Sequence, residues 1–156
     1  MQRIELPERP NWRERAEADG FNFHTIGGER YWDERAAYRF TLQQIEQDLE
    51  DPSDELHAMC LAFVDEAVRD ERVLTDLGIP ASAWDAVRES WQRQDASIYG
   101  RLDFSYDGSG PAKLLEYNAD TPTSCFETGW FQWHWLTDLI ESGQLPADAD
   151  QFNSLQ

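Results

Sequence analysis

The chain has 156 residues and a formal net charge of −18, from 31 acidic and 13 basic residues. So acidic a chain repels nucleic-acid phosphates and anionic lipid headgroups, so we expect neither nucleic acid nor a membrane surface as a partner. Hydrophobic residues make up 40% of the sequence and aromatic residues 13%, which is typical of a folded domain and excludes a disordered composition.

The acidity has two interpretations. Carboxylates spread over solvated helix faces would keep the chain soluble and carry no further function. Alternatively, the same charge would attract a cationic substrate such as a polyamine. Composition alone does not choose between them.

Targeting and redox signals indicate a cytoplasmic protein. The first residues lack the apolar stretch of a signal peptide, and no apolar run approaches the about 20 residues that a membrane-spanning helix needs. Cys60 and Cys125 lie far apart with no CxxC spacing, which favours reduced, buried thiols over a zinc site or a disulfide framework.

The first half of the chain predicts mostly helices. Apolar spacing, Gly and Pro stops and candidate caps give helices over residues 11–18, 33–49 and 54–77, with a short extended segment over residues 21–26. We expect Asp51, Pro52 and Ser53 to separate the second and third helices, with Ser53 as an N-cap.

In the second half of the chain, the spacing of apolar residues changes from a helical period to the alternation of strands. Ser82 caps a helix over residues 83–94, and residues 98–106 and 111–118 then read as two strands joined by the turn residues 107–110. A last helix begins at Ser124, where Glu127 completes a capping-box spacing, and reaches Glu141. The predicted fold class is α/β: helices followed by a β-hairpin that belongs to a mixed sheet.

The hairpin brings four polar side chains to one face. Residues two apart on a strand share a face, so Arg101 lies with Asp103 and Glu116 lies with Asn118. A four-residue loop sets Arg101 opposite Glu116, whereas a slip of two residues sets Asp103 opposite Glu116. Either register predicts the same polar face, with Leu102, Phe104, Leu115 and Tyr117 on the other.

This face has two interpretations. Carboxylate and amide oxygens of Asp103, Glu116 and Asn118 are ligands that Mg²⁺ accepts, and the Arg101 guanidinium suits phosphoryl oxygens. The alternative is an ordinary cross-strand ion pair on a solvated sheet.

Other reactive or aromatic residues receive structural interpretations. We expect Trp130, Trp133 and Trp135 to serve as core or interface anchors. The three histidines, His24, His57 and His134, lack the partner pattern of a catalytic triad, and a buried structural thiol is the favoured role for Cys125.

Four segments carry a resemblance to a known family. They are YGRLDFSYDG (residues 99–108), PAKLLEYNADTPTS (111–124), YWDERAAYRFTLQQIEQ (31–47) and FQWHW (131–135). Together they resemble the glutathionylspermidine synthase family, which are ATP-grasp carbon–nitrogen ligases. The resemblance extends from about Arg9 to Leu139.

The resemblance implies a reaction and a set of roles. Family members use ATP and Mg²⁺ to phosphorylate a glutathione carboxylate, and a spermidine amine then attacks the acyl phosphate. Position by position, it implies Arg101 as catalytic and ATP-binding, Asp103 as ATP-binding, and Asp103, Glu116 and Asn118 as metal ligands. Thr121 and Thr123 fall at substrate-binding positions.

The resemblance also implies that residues 1–156 are the N-terminal portion of a longer domain, ending before the ATP-grasp region. We therefore expect the isolated chain to be inactive. The alternatives are a substrate- or Mg²⁺-binding module without chemistry, and an interaction protein whose aromatic surface pairs with another chain. A homodimer is among the assemblies we consider.

Overall fold

The computed structural model describes residues 1–153 and 155, and these residues form two units. One unit consists of Met1–Leu42 and the segment from Thr123 onwards, and the other of Gln43–Pro122. Both units contain strands and helices, which confirms the predicted α/β class.

The elements follow one another along the chain with short connections. In order they are β1 (Gln2–Glu5), α1 (Trp12–Ala18), β2 (Thr25–Ile26), β3 (Glu29–Arg30), β4 (Ala36–Arg39), a first π-helical segment (Gln44–Glu50), α2 (Asp51–Ala67), α3 (Glu71–Asp76), a 3₁₀ turn (Ala81–Ala83), α4 (Trp84–Arg93), β5 (Gly100–Ser105), β6 (Lys113–Ala119), a second π-helical segment (Phe126–Phe131) and α5 (Gln132–Glu141).

Two small antiparallel sheets belong to the first unit. β1 pairs with β4, and β2 pairs with β3 across the turn at Gly27 and Gly28, both of which have positive φ angles that suit glycine. The predicted helix over residues 33–49 was wrong in its first half. Residues Ala36–Arg39 pair with the N-terminal strand, a long-range contact that local periodicity cannot reveal.

An aromatic cluster forms the core of the first unit. Trp12 and Ala16 of α1 pack with Phe21 and Phe131, and all four are buried. The Phe21 ring meets Phe131 edge-to-face at 4.8 Å between centroids. The core therefore joins α1 to the second π-helical segment.

A buried ion pair lies in the same unit. Glu34 is 1% exposed and Arg9 is 5% exposed. The Glu34 carboxylate accepts from Arg9 Nη2 (2.6 Å), from Arg9 Nε (3.1 Å to Oε2) and from the Arg9 backbone N–H (3.2 Å). Arg9 Nη1 also donates to Asp138 at 2.6 Å. Arg9 thus links the N-terminal segment to the turn before β4 through Glu34 and to α5 through Asp138.

The start of the last helix differs from the predicted capping box. Ser124 has φ 66°, and the helix begins after it. Glu127 instead accepts a hydrogen bond from the Tyr31 hydroxyl at 2.6 Å. The tertiary partner thus takes the carboxylate that the sequence pattern assigned to the cap. The predicted end at Glu141 is confirmed.

In the second unit, the predicted break at residues 51–53 was wrong. The first π-helical segment runs without interruption into α2. Pro52 lies in the first turn of α2, where a missing N–H is tolerated. Ser53 is no N-cap: its hydroxyl donates to the Leu49 carbonyl at 2.6 Å.

The predicted helix over residues 54–77 is two helices. α2 ends at Ala67, and Asp70 begins α3 by accepting from the Arg72 N–H at 2.9 Å. The predicted stop at Gly78 is confirmed. α4 agrees with the predicted helix, although no side-chain cap forms at its start and Ser82 lies in the preceding 3₁₀ turn.

The hairpin adopts the second of the two predicted registers. Arg101 pairs with Asn118 and Asp103 with Glu116. A bulge follows, and Phe104 pairs with Leu114. Leu115 is therefore the extra residue at the bulge and is 70% exposed. Leu114 lies opposite Phe104, in the position that the sequence predicted for Leu115.

The helices among the described residues are too short or too polar to cross a bilayer.

We predict that Glu34→Ala destabilises the chain by about 3–5 kcal/mol, because Arg9 would keep a buried charge without its main partner. The measurement is urea unfolding followed by circular dichroism. Glu5→Ala is the control, since its 3.6 Å pair with Arg3 is exposed and should contribute less than about 1 kcal/mol. Equal losses in the two variants would contradict the assigned role of the buried pair.

Candidate functional site

One face of the β5–β6 hairpin carries the four polar residues that the sequence singled out. The observed register places Arg101 directly opposite Asn118 and Asp103 directly opposite Glu116. Because each opposed pair points to one side of the sheet, the structure brings all four together, as predicted. The bulge lies beyond this group and leaves its alternation intact.

Arg101 and Asp103 form the closest contact on this face. Arg101 Nε donates to Asp103 Oδ1 at 2.8 Å and Nη2 donates to Oδ2 at 3.3 Å. Hydrogen bonding to Arg101 lowers the pKa of Asp103 below its ordinary value, and the same bond raises the pKa of Arg101. Asp103 is consequently an anion and Arg101 a cation throughout the physiological pH range.

Asn118 and Glu116 complete the polar face. Asn118 Nδ2 donates to Asp103 Oδ2 at 3.5 Å, a third hydrogen bond that also lowers the pKa of Asp103. Glu116 is exposed, and its charge adds to the effect of Asp103 in raising the pKa of Arg101. The face thus presents two carboxylates, one amide and one guanidinium to solvent.

The donor set on this face suits a hard divalent cation. Two carboxylates and an amide oxygen are the ligand types that Mg²⁺ takes while it keeps waters and substrate phosphates in its shell. In the observed rotamer the Asn118 nitrogen faces Asp103, so ligation through Oδ1 requires a rotation of the amide. Within the described residues, this face included, no three His, Cys, Asp or Glu side chains gather in a way that could hold a metal ion, so a third protein ligand here would be the Asn118 amide.

The two predicted substrate-binding threonines lie on either side of Pro122. Thr121 follows β6, and its hydroxyl donates to the Ala119 carbonyl at 3.3 Å. Thr123 opens the segment that leads into the second π-helical segment, and its carbonyl accepts from the Cys125 thiol at 3.9 Å. Thr121 belongs to the second unit and Thr123 to the first.

Three hydrogen bonds that sequence reasoning missed attach the hairpin loop to the first π-helical segment. The Tyr106 hydroxyl donates to Asp48 Oδ2 at 2.5 Å, and the Ala112 N–H donates to the Asp48 carbonyl at 2.8 Å. Gln44 Nε2 donates to the Gly108 carbonyl at 2.8 Å. Both helix residues lie in the first π-helical segment. We call these three hydrogen bonds the loop anchor.

Pro52 was the available signal for the loop anchor. A helix carbonyl is normally satisfied by the N–H four residues later, and Pro52 has none to donate to Asp48. That carbonyl accepts from Ala112 instead. Burial and the hydrogen bond to Asp48 raise the pKa of Tyr106 to about 12.

The structural role predicted for His24 agrees with its contacts, whereas Trp130 is 49% exposed and is not a core residue. His24 is buried in the first unit, where its ring nitrogens lie 3.0 Å from the Thr25 hydroxyl and 3.4 Å from Glu17. Trp130 is partly exposed, and its ring meets His134 edge-to-face at 4.5 Å between centroids. Trp133 and Trp135 are half-buried.

We predict that Arg101→Met raises the pKa of Asp103, because the variant removes its principal hydrogen-bond donor. A carboxyl whose folded pKa is lowered stabilises the fold above its unfolded pKa, and that contribution is lost as pH falls through the folded pKa. The stability difference between the wild type and the variant should therefore shrink below about pH 4. Carbon-detected NMR titration of the Asp103 carboxyl measures the midpoint directly.

Arg93→Met is the matched control for this titration. Arg93 pairs with Asp95 at 2.8 Å in the same unit, so its removal should leave Asp103 unchanged. An unchanged Asp103 midpoint in Arg101→Met would contradict the assigned ion pair.

We predict that Tyr106→Phe removes the tyrosine that titrates at about pH 12. A phenol whose folded pKa is raised above 10.0 stabilises the fold below pH 10 and loses that contribution as pH rises through 12. The stability difference between wild type and variant should be constant below pH 10 and then close. Ultraviolet titration of phenolate follows the ionisation, and Tyr38→Phe, at an exposed position, is the control. If the ionisation at about pH 12 disappeared in Tyr38→Phe but persisted in Tyr106→Phe, the assignment to Tyr106 would be contradicted.

Comparisons with known proteins give the chain its relatives. The family model described as glutathionylspermidine synthase preATP-grasp matches residues 3–156. A Haemophilus influenzae protein, provisionally named an acid–amine ligase, is 37% identical over 155 residues, which are 95% of this chain and 37% of the relative.

Two further relatives match shorter segments. The Escherichia coli bifunctional glutathionylspermidine synthetase/amidase is 36% identical over 99 residues, covering 63% of this chain and 16% of the relative. Trypanothione synthetase from Crithidia fasciculata is 31% identical over 86 residues, covering 54% of this chain and 13% of the relative. The chain thus spans little more than a third of the length of the Haemophilus relative. Because the family model covers almost every residue, the chain belongs to the glutathionylspermidine synthase preATP-grasp family.

Proposed function

We propose that this chain supplies the metal- and phosphate-binding face of an ATP-dependent acid–amine ligase. The single observation that carries the proposal is the convergence of Arg101, Asp103, Glu116 and Asn118 on one face of the hairpin. Membership of a family whose relatives are synthetases and ligases supports the reaction class.

The proposed reaction joins a carboxylate to an amine. A carboxylate oxygen, such as one of glutathione, attacks the γ-phosphorus of ATP, and ADP leaves. The nitrogen of an amine such as spermidine then attacks the acyl phosphate carbon, and inorganic phosphate and a proton are released. Both steps depend on neutralising phosphoryl charge, which positioned cations and hydrogen-bond donors provide.

The residues of this face divide into two roles. Asp103, Glu116 and Asn118 would hold Mg²⁺, which supplies charge neutralisation at the phosphates. Arg101 donates from a planar fork that matches phosphoryl oxygens. Its bond to Asp103 keeps the guanidinium on the face before any nucleotide arrives, so less side-chain entropy is lost on binding. On binding, Arg101 would exchange the Asp103 carboxylate for phosphoryl oxygens, and Asp103 would exchange the guanidinium for the cation.

The threonines and the acidic surface receive substrate roles in this proposal. Thr121 and Thr123 contribute hydroxyls to the acyl substrate, and the net charge of −18 favours a cationic amine. The proposed location is the cytoplasm, where ATP and glutathione are available.

The second candidate is a Mg²⁺- or substrate-binding module without chemistry. The observation that favours it is the length of the chain, which spans 37% of the Haemophilus relative. Phosphoryl transfer requires several positioned groups at once, and part of them would come from the remaining length of such a protein. We therefore propose that the 156-residue chain binds but does not turn over.

We predict that Mn²⁺, as a paramagnetic substitute for Mg²⁺, broadens the NMR signals of Asp103, Glu116 and Asn118 before those of other residues. Asp103→Asn and Glu116→Gln should each weaken this effect at least about tenfold, because each removes one anionic ligand. Asp85→Asn is the control, because Asp85 belongs to the same unit and its side chain is 92% exposed. Equal broadening in all variants would remove the metal assignment.

We predict no ADP release above background when the chain is incubated with Mg-ATP, glutathione and spermidine. A coupled ADP assay makes the measurement, with the Escherichia coli bifunctional enzyme as positive control. Sustained turnover by the 156-residue chain would overturn the binding-module description and leave a complete ligase.

A further inference from the structure

On the opposite face of the hairpin, the aromatic side chain of Tyr117 contacts α2. Tyr117 lies on β6 between Glu116 and Asn118, and alternation turns it away from them. Its hydroxyl is 2.8 Å from His57 Nδ1 of α2, and the two rings meet at 69° with centroids 5.8 Å apart. This contact is separate from the loop anchor and lies at the other end of the hairpin.

Gly100 provides the space for this side chain. A Cβ at position 100 would lie 2.7 Å from Tyr117 Cε2 and 2.9 Å from the Tyr117 hydroxyl oxygen, closer than van der Waals contact allows. The Tyr117 ring therefore lies directly over the Gly100 backbone. Gly100 immediately precedes Arg101 in β5, so the Tyr117 ring covers the backbone of a strand that carries the candidate site. An aromatic ring placed over a strand glycine also replaces the side chain that the glycine lacks.

We propose that Gly100, Tyr117 and His57 form a positioning contact that holds the polar face of the hairpin at a fixed place relative to α2. The effect of this contact on metal binding rests on the proposed function, whereas the contact itself is independent of it. Tyr117 fixes the backbone on both sides of its own position, at Glu116 and Asn118. Through its ring it also fixes the segment that leads into Arg101. Metal binding on the polar face then depends on residues that never touch the metal.

The first test separates the hydrogen bond from general packing. His57→Leu removes the partner of the Tyr117 hydroxyl, and His57→Asn keeps a polar atom at the position of Nδ1. Amide hydrogen exchange of β5 and β6 should speed up about fivefold in His57→Leu, the factor expected for one net hydrogen bond, and return towards wild type in His57→Asn. Ala58→Leu places the same side chain at the neighbouring exposed position and should leave exchange unchanged.

The second test uses the close approach at Gly100. Gly100→Ala should accelerate exchange in the wild-type background because the methyl group displaces the Tyr117 ring. In a Tyr117→Ala background the same substitution should have no such cost, since alanine is at least as favourable as glycine in a strand. Identical effects of Gly100→Ala in the two backgrounds would overturn the proposed contact, as would unchanged exchange in His57→Leu.

Mn²⁺ broadening then measures the functional consequence. In His57→Leu the Mn²⁺ concentration for half-maximal broadening at Asn118 should rise, and His57→Asn should restore it. If the wild-type chain shows no Mn²⁺ effect, the proposed metal site fails while hydrogen exchange still decides the positioning contact. If exchange responds as expected but Mn²⁺ affinity does not change, the contact does not position the metal ligands, and the inference is overturned.

Discussion

The geometry of the second unit depends on the loop anchor, the hydrogen bonds that attach the hairpin loop to the first π-helical segment. A two-stranded hairpin has little independent stability in water, so its geometry must come from what it packs against. Asp48 supplies two acceptors to the loop, its carboxylate for Tyr106 and its backbone carbonyl for Ala112. The π-helical winding of residues Gln44–Glu50 and the missing N–H of Pro52 make this attachment available. A local irregularity of the helix thus sets the position of the strands that carry the candidate site.

The polar face of the hairpin holds two opposite charges together by hydrogen bonds. Asp103 holds Arg101 with two hydrogen bonds, so neither charge faces solvent alone. The same pairing keeps both groups ionised over a wide pH range, since each stabilises the charged form of the other. In the proposed function, a cation would take the carboxylate of this pair and a phosphate would take the guanidinium.

In the first unit, the N-terminal segment has few apolar residues and is held by an ion pair and an aromatic cluster. Arg9 and Glu34 are buried together and satisfy each other through several hydrogen bonds, while the aromatic cluster around Phe21 supplies the apolar contacts. Buried ion pairs of this kind contribute little net stability but impose a strong penalty on any arrangement that separates them. The pair therefore specifies which segments meet, and the aromatic cluster provides the driving force. Neither feature involves the residues of the polar face.

The sequence by itself determined the α/β class, the hairpin and the set of residues that share its polar face. Strand alternation has a period of two in either register, so Arg101, Asp103, Glu116 and Asn118 had to meet on one side. Only the tertiary structure decided the register, the bulge that exposes Leu115, and the pairing of residues Ala36–Arg39 with the N-terminal strand. It also decided that Glu127 bonds to Tyr31 rather than to its own helix and that the helix continues through Pro52. Alternation and turn signals act between neighbours in the chain and can be read locally. Partners such as Asp48 and Tyr106 are 58 residues apart, and their hydrogen bond exists only once the fold brings them together.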